Sequence, residues 1–171
     1  TQFLRAFYYA GAASILCLLI GYPVAYAIAF KGGRWKNLML FAVVAPLFTT
    51  YLIRTIAWKT ILSDESPFVS FLKFLHIVPQ DGHVLATGAA VIAGLTYNFL
   101  PFMILPLYAA LERLDRSLLE AGKDLYASAT QTFLRVTLPL TMPGIIAGVL
   151  LTFIPAAGDY VNVTFLGGTN Q

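Results

Sequence analysis

The sequence predicts an all-helical membrane protein, a polytopic bundle with four transmembrane helices in its 171 residues. Two observations carry this. Hydrophobic residues make up 58% of the chain and charged residues 11%, where a soluble domain carries about a quarter charged. A fold of this size could not keep so much apolar side chain away from water. The few charges are also bunched, which leaves long charge-free runs between them. Mean hydropathy is +0.76. The same numbers exclude intrinsic disorder, which needs few hydrophobics and many charges. A single cysteine, Cys17, excludes a disulfide framework within the chain. The net charge of +3 and pI near 9.1 fit cytoplasmic loops and anionic lipid head groups rather than nucleic acid.

Taken in order, Ala6 to Phe30 has no Asp, Glu, Lys or Arg, and neither has Asn37 to Ile53, Gly82 to Leu111 or Val136 to Gly158. Each is close to or above the roughly 17–25 residues that a helix needs to cross the hydrocarbon core. The second run extends through Arg54 to Leu62 if Arg54 is held inside the protein or snorkels. The expected spans are therefore 6–30, 37–62, 84–111 and 138–158, within one membrane domain over 1–171. None reads as a cleavable signal, because no short apolar region precedes a small-residue cleavage site.

The connections set the orientation. Lys31, Arg34 and Lys36 crowd the first, and Arg113, Arg116, Lys123 and Arg135 fall in the third. In the middle one, Asp64, Glu65 and Asp81 offset Lys59 and Lys73. The Lys/Arg bias places the first and third connections in the cytoplasm. Both ends then lie outside, so the chain is expected to be the middle of a longer one with at least one further span on each side.

Pro23, Pro46, Pro101, Pro106, Pro143 and Pro155 lie in or at the edges of spans. Membrane helices tolerate this because neighbouring helices satisfy the freed carbonyls. The prolines read either as static kinks or as the broken helices of an alternating pathway. Gly144 and Gly148 form a small-xxx-small pair suited to helix packing. In the outer connection Ser66 can cap a short helix with Pro67 at its first position, and Phe68, Phe71, Leu72 and Leu75 share a face. That helix is expected to lie in the interface.

The cytoplasmic stretch from Glu112 to Pro139 is long and patterned, with a hairpin expected over 112–137. Asp115 can cap a helix through Leu125, with Leu118, Leu119 and Leu125 as its apolar residues. Ser128 followed by Gln131 makes a capping box for a second helix, which Pro139 should end or kink. The segment reads as a solvated hairpin or as a docking element for a cytoplasmic partner. A DNA-reading helix-turn-helix fails on its balanced charge and its flanking spans.

Within it, Glu120-Ala121-Gly122-Lys123-Asp124-Leu125-Tyr126-Ala127-Ser128, followed by Phe133, Val136, Leu138-Pro139 and Pro143-Gly144, resembles the EAA loop of permease subunits of binding-protein-dependent ABC importers. Leu100 to Tyr108, Ile154 to Tyr160, Arg54 to Trp58 and Leu166-Gly167-Gly168 extend the likeness over nearly the whole chain, and make it most similar to the spermidine/putrescine branch. The resemblance implies the ABC type I importer permease fold, in which six core helices are usual and this chain would supply the second to fifth. It implies a multi-pass protein of the bacterial cytoplasmic (inner) membrane, forming half of the pathway for a small solute. The implied partners are a cytoplasmic ATPase dimer, a second homologous permease, an external substrate-binding protein and membrane lipid, with no nucleic acid. ATP and magnesium would bind to the ATPase, so this chain would need no cofactor and would not itself be an enzyme. Glu120, Ala121, Gly122, Asp124, Leu125, Tyr126, Ala127 and Ser128 would form the ATPase contact by position.

Two residues depart from the family pattern. Gly122 stands where a second Ala is usual, which loosens the helix by up to about 1 kcal/mol. Tyr126 stands at the characteristic Gly, where a positive φ suits glycine and is awkward for tyrosine. Either the turn has another geometry or coupling is weakened.

A polyamine needs acceptors for its ammonium groups and aromatic faces for cation–π contact. Asp159 is the acid at the edge of a span, with Tyr160 beside it, and Tyr51, Trp58, Tyr97 and Asn98 are further pathway candidates. Each aromatic also reads as an interface-belt or packing residue. Arg54 is an intramembrane charge, which makes it a functional candidate, but a cation repels polyamine. No phosphate-cradling G-x-x-x-x-G-K-[ST], G-x-S-x-G, H-E-x-x-H or Cys cluster occurs. His76 and His83 read as surface residues, and Asn162-Val163-Thr164 as a chance sequon match. The alternatives are a permease for another solute (iron, sulfate, thiamine or an opine, with Arg54 suiting an anion), a membrane-embedded enzyme, for which the charge-free runs offer no facing acids, His or Cys, and a helical scaffold without transport.

Overall fold

The structure, a computed structural model, describes residues 2–74, 87–124 and 126–166. Among them every regular element is helical: α1 Gln2–Lys31, α2 Lys36–Val44, α3 Tyr51–Ile61, α4 Pro67–Phe74, α5 Gly88–Glu112, α6 Arg116–Asp124, α7 Ala129–Thr132, α8 Leu138–Ala157 and α9 Tyr160–Leu166. Three helical stretches, Leu4–Lys31, Gly88–Glu112 and Ala129–Ala157, are long and apolar enough to cross a membrane.

The stretch expected to be one span over 37–62 is bent into two shorter helices, which together are long and apolar enough to be a fourth, broken span or a re-entrant loop. α2 runs into a 3-10 turn, Ala45–Phe48, and α3 leaves it at 93°. Pro46 lies inside the 3-10 turn, where its missing N–H removes a helical bond. Thr49 and Thr50 then open to ψ of 137° and 134°, an extended conformation that β-branched residues favour.

α5 is the axis of the bundle and packs along both α1 and α8, which also touch each other. Near one end Ala10, Ala13, Leu62, Val91, Leu95 and Phe99 are buried together, and near the other Cys17, Ile28, Met103, Leu107 and Leu111. Small residues set the separation of these helices. A Cβ at Gly144 would stand 2.9 Å from the Pro106 carbonyl oxygen, and one at Gly148 would stand 2.8 Å from Met103 Sδ. The small-xxx-small pair is thus the seat of α5 on α8, where backbones must approach closely. Outward-facing Ile15, Leu19, Phe41, Ile146 and Ile154 are exposed. That arrangement would be costly in water and is natural against lipid tails.

The two connections rich in Lys and Arg meet at one end of the bundle. Lys36, at the start of α2, forms an ion pair with Glu112 at the end of α5, and its ammonium sits 5.3 Å from the Tyr108 ring centre. At the other end Ser66 Oγ accepts the Val69 N–H at 3.1 Å and caps α4. Val69 is buried while Phe68 and Phe71 are exposed, so α4 turns its aromatic face outward, as an interfacial helix does. The Leu72 side chain, Leu75, His76, Asp81, His83 and residues 84–86 lie outside the described residues.

Pro139 does not end the helix that Ser128 begins. The helical run continues from Ala129 to Ala157, because the turn before Pro139 is widened into a π-helical segment, Phe133–Thr137. A proline ring ordinarily strikes the carbonyl four residues back, here that of Arg135. The wider π-turn relieves the collision.

Candidate functional site

Two places carry chemistry, a capped hairpin on the Lys/Arg-rich side and a polar cluster within the bundle. The hairpin is built by capping. Asp115 Oδ1 accepts the Ser117 N–H at 2.9 Å at the start of α6, and these bonds hold its carboxyl below the usual range. Ser128 Oγ accepts the Gln131 N–H at 3.2 Å, and Gln131 Oε1 accepts the Ser128 N–H at 3.1 Å, which completes the reciprocal capping box.

The turn between the helices keeps the geometry that glycine would favour. Tyr126 has φ +57°, the only positive φ at a non-glycine among the described residues. The Ala127 N–H then closes onto the Gly122 carbonyl at 3.0 Å. That is the six-to-one bond of a Schellman helix end. Tyrosine therefore occupies a left-handed position, and its side chain is 98% exposed. Gly122 faces the second helix, where a Cβ would lie 3.0 Å from Thr132 Oγ1. Its place in the family pattern thus corresponds to close approach of α6 and α7.

Of the residues expected to contact an ATPase, Glu120, Ala121, Asp124, Tyr126 and Ser128 are exposed and Gly122 and Ala127 are half-buried; Leu125 lies outside the described residues. The base of the hairpin is fastened to α1. Phe133 stands edge-on to Tyr22, with ring centres 5.6 Å apart at 90°, and lies 6.5 Å from Tyr26. Tyr22 in turn shares a 2.8 Å hydrogen bond with Thr141 of α8.

Inside the bundle the structure brings Tyr51, Asn98 and Asp159 together, with Asn162 at the centre. Asp159 Oδ1 caps α9 by accepting the N–H groups of Val161 at 3.0 Å and Asn162 at 3.2 Å. Its Oδ2 accepts the Tyr51 hydroxyl and the Asn162 side-chain amide, the latter at 2.6 Å. Asn162 Nδ2 also donates to the Tyr51 oxygen at 2.6 Å, while its Oδ1 faces Asn98 Nδ2 at 3.4 Å. Asn98 and Asn162 are 1% and 0% exposed while Tyr51 and Asp159 are half-buried, so the network is buried at its two amides and partly open at its acid.

Trp58 and Tyr97 are not part of that network. They pair with each other, ring centres 5.4 Å apart, and Tyr97 lines an apolar groove of about 470 Å³ with Val24, Met39, Pro46 and Pro101. Tyr160 opens α9, but its side chain lies outside the described residues. Arg54 neither snorkels nor forms a salt bridge among the described residues. It is 9% exposed, its guanidinium lies 5.7 Å from the Tyr51 ring centre, and Nε and Nη1 have no hydrogen-bond partner among the described residues. Sequence reasoning missed Asn162, taken only as a sequon. The available signal was its position three residues after Asp159, where a capping acid meets a side chain of the first helical turn.

The model of the family described as binding-protein-dependent transport system inner membrane component matches residues 18–171. The chain is 48% identical over 158 residues to the spermidine/putrescine transport system permease protein PotB of Haemophilus influenzae, covering 92% of this chain and 55% of that protein. It is 43% identical over 159 residues to PotB of Escherichia coli, covering 93% and 58%. The inner membrane ABC transporter permease protein YdcU of Escherichia coli is 36% identical over 176 residues, covering 96% and 56%. The chain thus spans a little over half the length of these relatives.

Proposed function

The chain belongs to the family of inner membrane components of binding-protein-dependent transport systems, and from that premise we propose that it is a permease subunit of an ATP-driven importer of spermidine and putrescine. In this reading it is a multi-pass protein of the bacterial inner membrane and forms half of the pathway. A separate cytoplasmic ATPase hydrolyses ATP, a second permease completes the pathway, and an external binding protein delivers the solute. The single observation that carries the reading is the 48% identity to a spermidine/putrescine permease over 92% of the chain. The exposed, doubly capped hairpin supports it, since it joins two membrane-crossing helices at the end where Lys and Arg gather.

The polar cluster gives this function a workable mechanism. Asp159 offers a carboxylate to an ammonium group, but both its oxygens already accept hydrogen bonds. A polyamine ammonium would take over Oδ2 from Tyr51 and Asn162. Releasing those donors loosens α9 from α3 and α5, on which it packs. The 93° break between α2 and α3 ends at Tyr51, so substrate binding and bending of this helix pair share a residue. At the other end, Phe133 between Tyr22 and Tyr26 joins hairpin movement to α1.

A second reading, an importer of an anionic solute, is favoured by one observation: the buried Arg54, two of whose donor nitrogens find no partner among the described residues. One experiment separates them. The intact protein is tagged in its native membrane and purified gently with whatever subunits accompany it. The complex is then assayed for ATPase stimulation by loaded binding protein, with spermidine, putrescine or anionic competitors present. Recovery of a P-loop ATPase and a second permease, with stimulation by polyamine, is the expected result. Recovery of neither from a monodisperse preparation refutes the importer, and stimulation by an anion alone refutes the polyamine.

A further inference from the structure

Tyr126 is a tyrosine in a backbone conformation that L side chains avoid. Its φ is +57° and its side chain is 98% exposed. Neither a hydrogen bond nor a ring contact engages it among the described residues. Strain of this kind persists where surroundings impose it, and it gathers at sites with a function. Here the imposed part is the helix end: the Ala127 N–H bond to the Gly122 carbonyl requires a left-handed residue at Tyr126. Glycine meets that requirement without a side chain, so the ring itself is what remains to be explained. On α6, the helix that leads into this turn, Glu120 and Asp124 stand one helical turn apart and both are exposed, with Ala121 exposed between them. The hairpin thus exposes one large amphipathic ring at its turn and two carboxylates on the helix before it.

We propose that Tyr126 is the anchor of the hairpin, a ring that enters an apolar pocket of the cytoplasmic ATPase while Glu120 and Asp124 meet basic residues at the pocket's rim. The inference rests on the reading of the hairpin as the ATPase contact and adds to it the residue that selects the partner. Tyrosine suits the role. It has two side-chain torsions to fix, buries a large area and keeps a hydroxyl for the pocket's far wall. A turn pinned at both ends by caps presents that ring already oriented, which lowers the entropy lost on docking. The partner this surface fits is an ATPase whose cleft has an aromatic-sized hole with basic flanks. An ATPase shaped for a glycine at this turn would collide with the ring, which makes Tyr126 a specificity determinant through exclusion as well as attraction.

The test uses membrane vesicles that carry the intact permease complex, stripped of ATPase, and measures rebinding of the purified ATPase. Tyr126→Gly and Tyr126→Ala are expected to weaken rebinding by about tenfold or more, the range for loss of an aromatic anchor. Tyr126→Phe is expected to restore it to within about threefold, since the ring body remains. Rebinding of the glycine variant at the original strength or tighter overturns the proposal, as does a phenylalanine variant as weak as the glycine one. Ala121→Arg separates the two layers of the argument. If it abolishes rebinding while Tyr126→Gly does not, the hairpin docks but Tyr126 is no anchor. If it rebinds normally, the docking hairpin falls and the anchor with it.

Discussion

Asp159 holds Asn162 at two points: Oδ1 accepts its backbone N–H at 3.2 Å, and Oδ2 accepts its side-chain amide at 2.6 Å. One carboxylate therefore starts α9 and orients the buried amide that reaches Tyr51 on α3 and faces Asn98 on α5. Three segments far apart in sequence meet through a single acid. This makes the cluster sensitive to the number of acceptors at that position, not just to its charge.

Asp159→Asn is the direct consequence. If the new amide oxygen keeps the cap, its nitrogen faces the Tyr51 hydroxyl and the Asn162 amide, which are both donors in the native arrangement. A buried donor left without an acceptor costs about 1–3 kcal/mol. Thermal unfolding of the variant in detergent should show a loss of that size, and polyamine uptake in spheroplasts should show a weakened apparent affinity. Unchanged uptake and affinity would remove Asp159 from the list of substrate ligands.

Gly144 and Gly148 should differ in their tolerance of alanine. At Gly144 the added methyl meets the Pro106 carbonyl and the Ala110 methyl, neither of which can rotate away. At Gly148 its nearest neighbour is Met103 Sδ, the flexible part of a long side chain, with the Met103 carbonyl at 3.2 Å. Overpacking of this kind costs about 1–3 kcal/mol. Gly144→Ala is expected near the top of that range and Gly148→Ala near the bottom, as read by loss of folded protein on heating. Equal losses would mean that α8 shifts as a rigid body.

How far the sequence discloses this structure depends on the physical range of each signal. The apolar helices are legible because a charge in hydrocarbon is costly wherever it sits, so charge-free runs mark α1, α5 and α8 directly. Ser66, Asp115 and the Ser128–Gln131 pair are legible because capping acts over three residues. The 93° break is not: Pro46 marks a weak point, but its angle depends on the extended Thr49 and Thr50 and on what α3 packs against. The continuation of the helix through Pro139 is hidden for a similar reason, since the π-turn that accommodates it is a response of the preceding residues. Asn162 reads as unremarkable because its partners, Tyr51 and Asn98, are 111 and 64 residues away. Trp58 and Tyr97 share a residue type with the cluster but not its place.

Acidification should loosen the start of α6. The Asp115 carboxyl titrates below its usual value because the charged form accepts the Ser117 N–H. A depressed folded-state pKa means that the stabilising contribution is complete above the unfolded value, about 3.9. It declines as pH falls below that value and through the folded one. Hydrogen exchange at the Ser117 and Leu118 amides should therefore accelerate, beyond its intrinsic pH dependence, on going from pH 5 to about pH 3. Asp115→Asn keeps a good cap without a titrating group and should flatten that response. A steep response in the asparagine variant would assign it to another group.

Tyr126→Gly should make the hairpin more stable, whatever it does to docking. The left-handed conformation costs an L-residue about 1–2 kcal/mol. Glycine avoids the clash but gives back part of the gain through the greater freedom of its unfolded chain. A net gain of about 1 kcal/mol is expected, seen as slower exchange of the Ala127 amide that bonds to the Gly122 carbonyl. Asparagine, which tolerates this region better than other side chains, should fall between. Alanine keeps the β-carbon that causes the strain, so Tyr126→Ala should gain nothing. This order separates backbone strain from any effect of losing the ring: if alanine stabilises the turn as much as glycine does, the ring and not φ is the source of the strain.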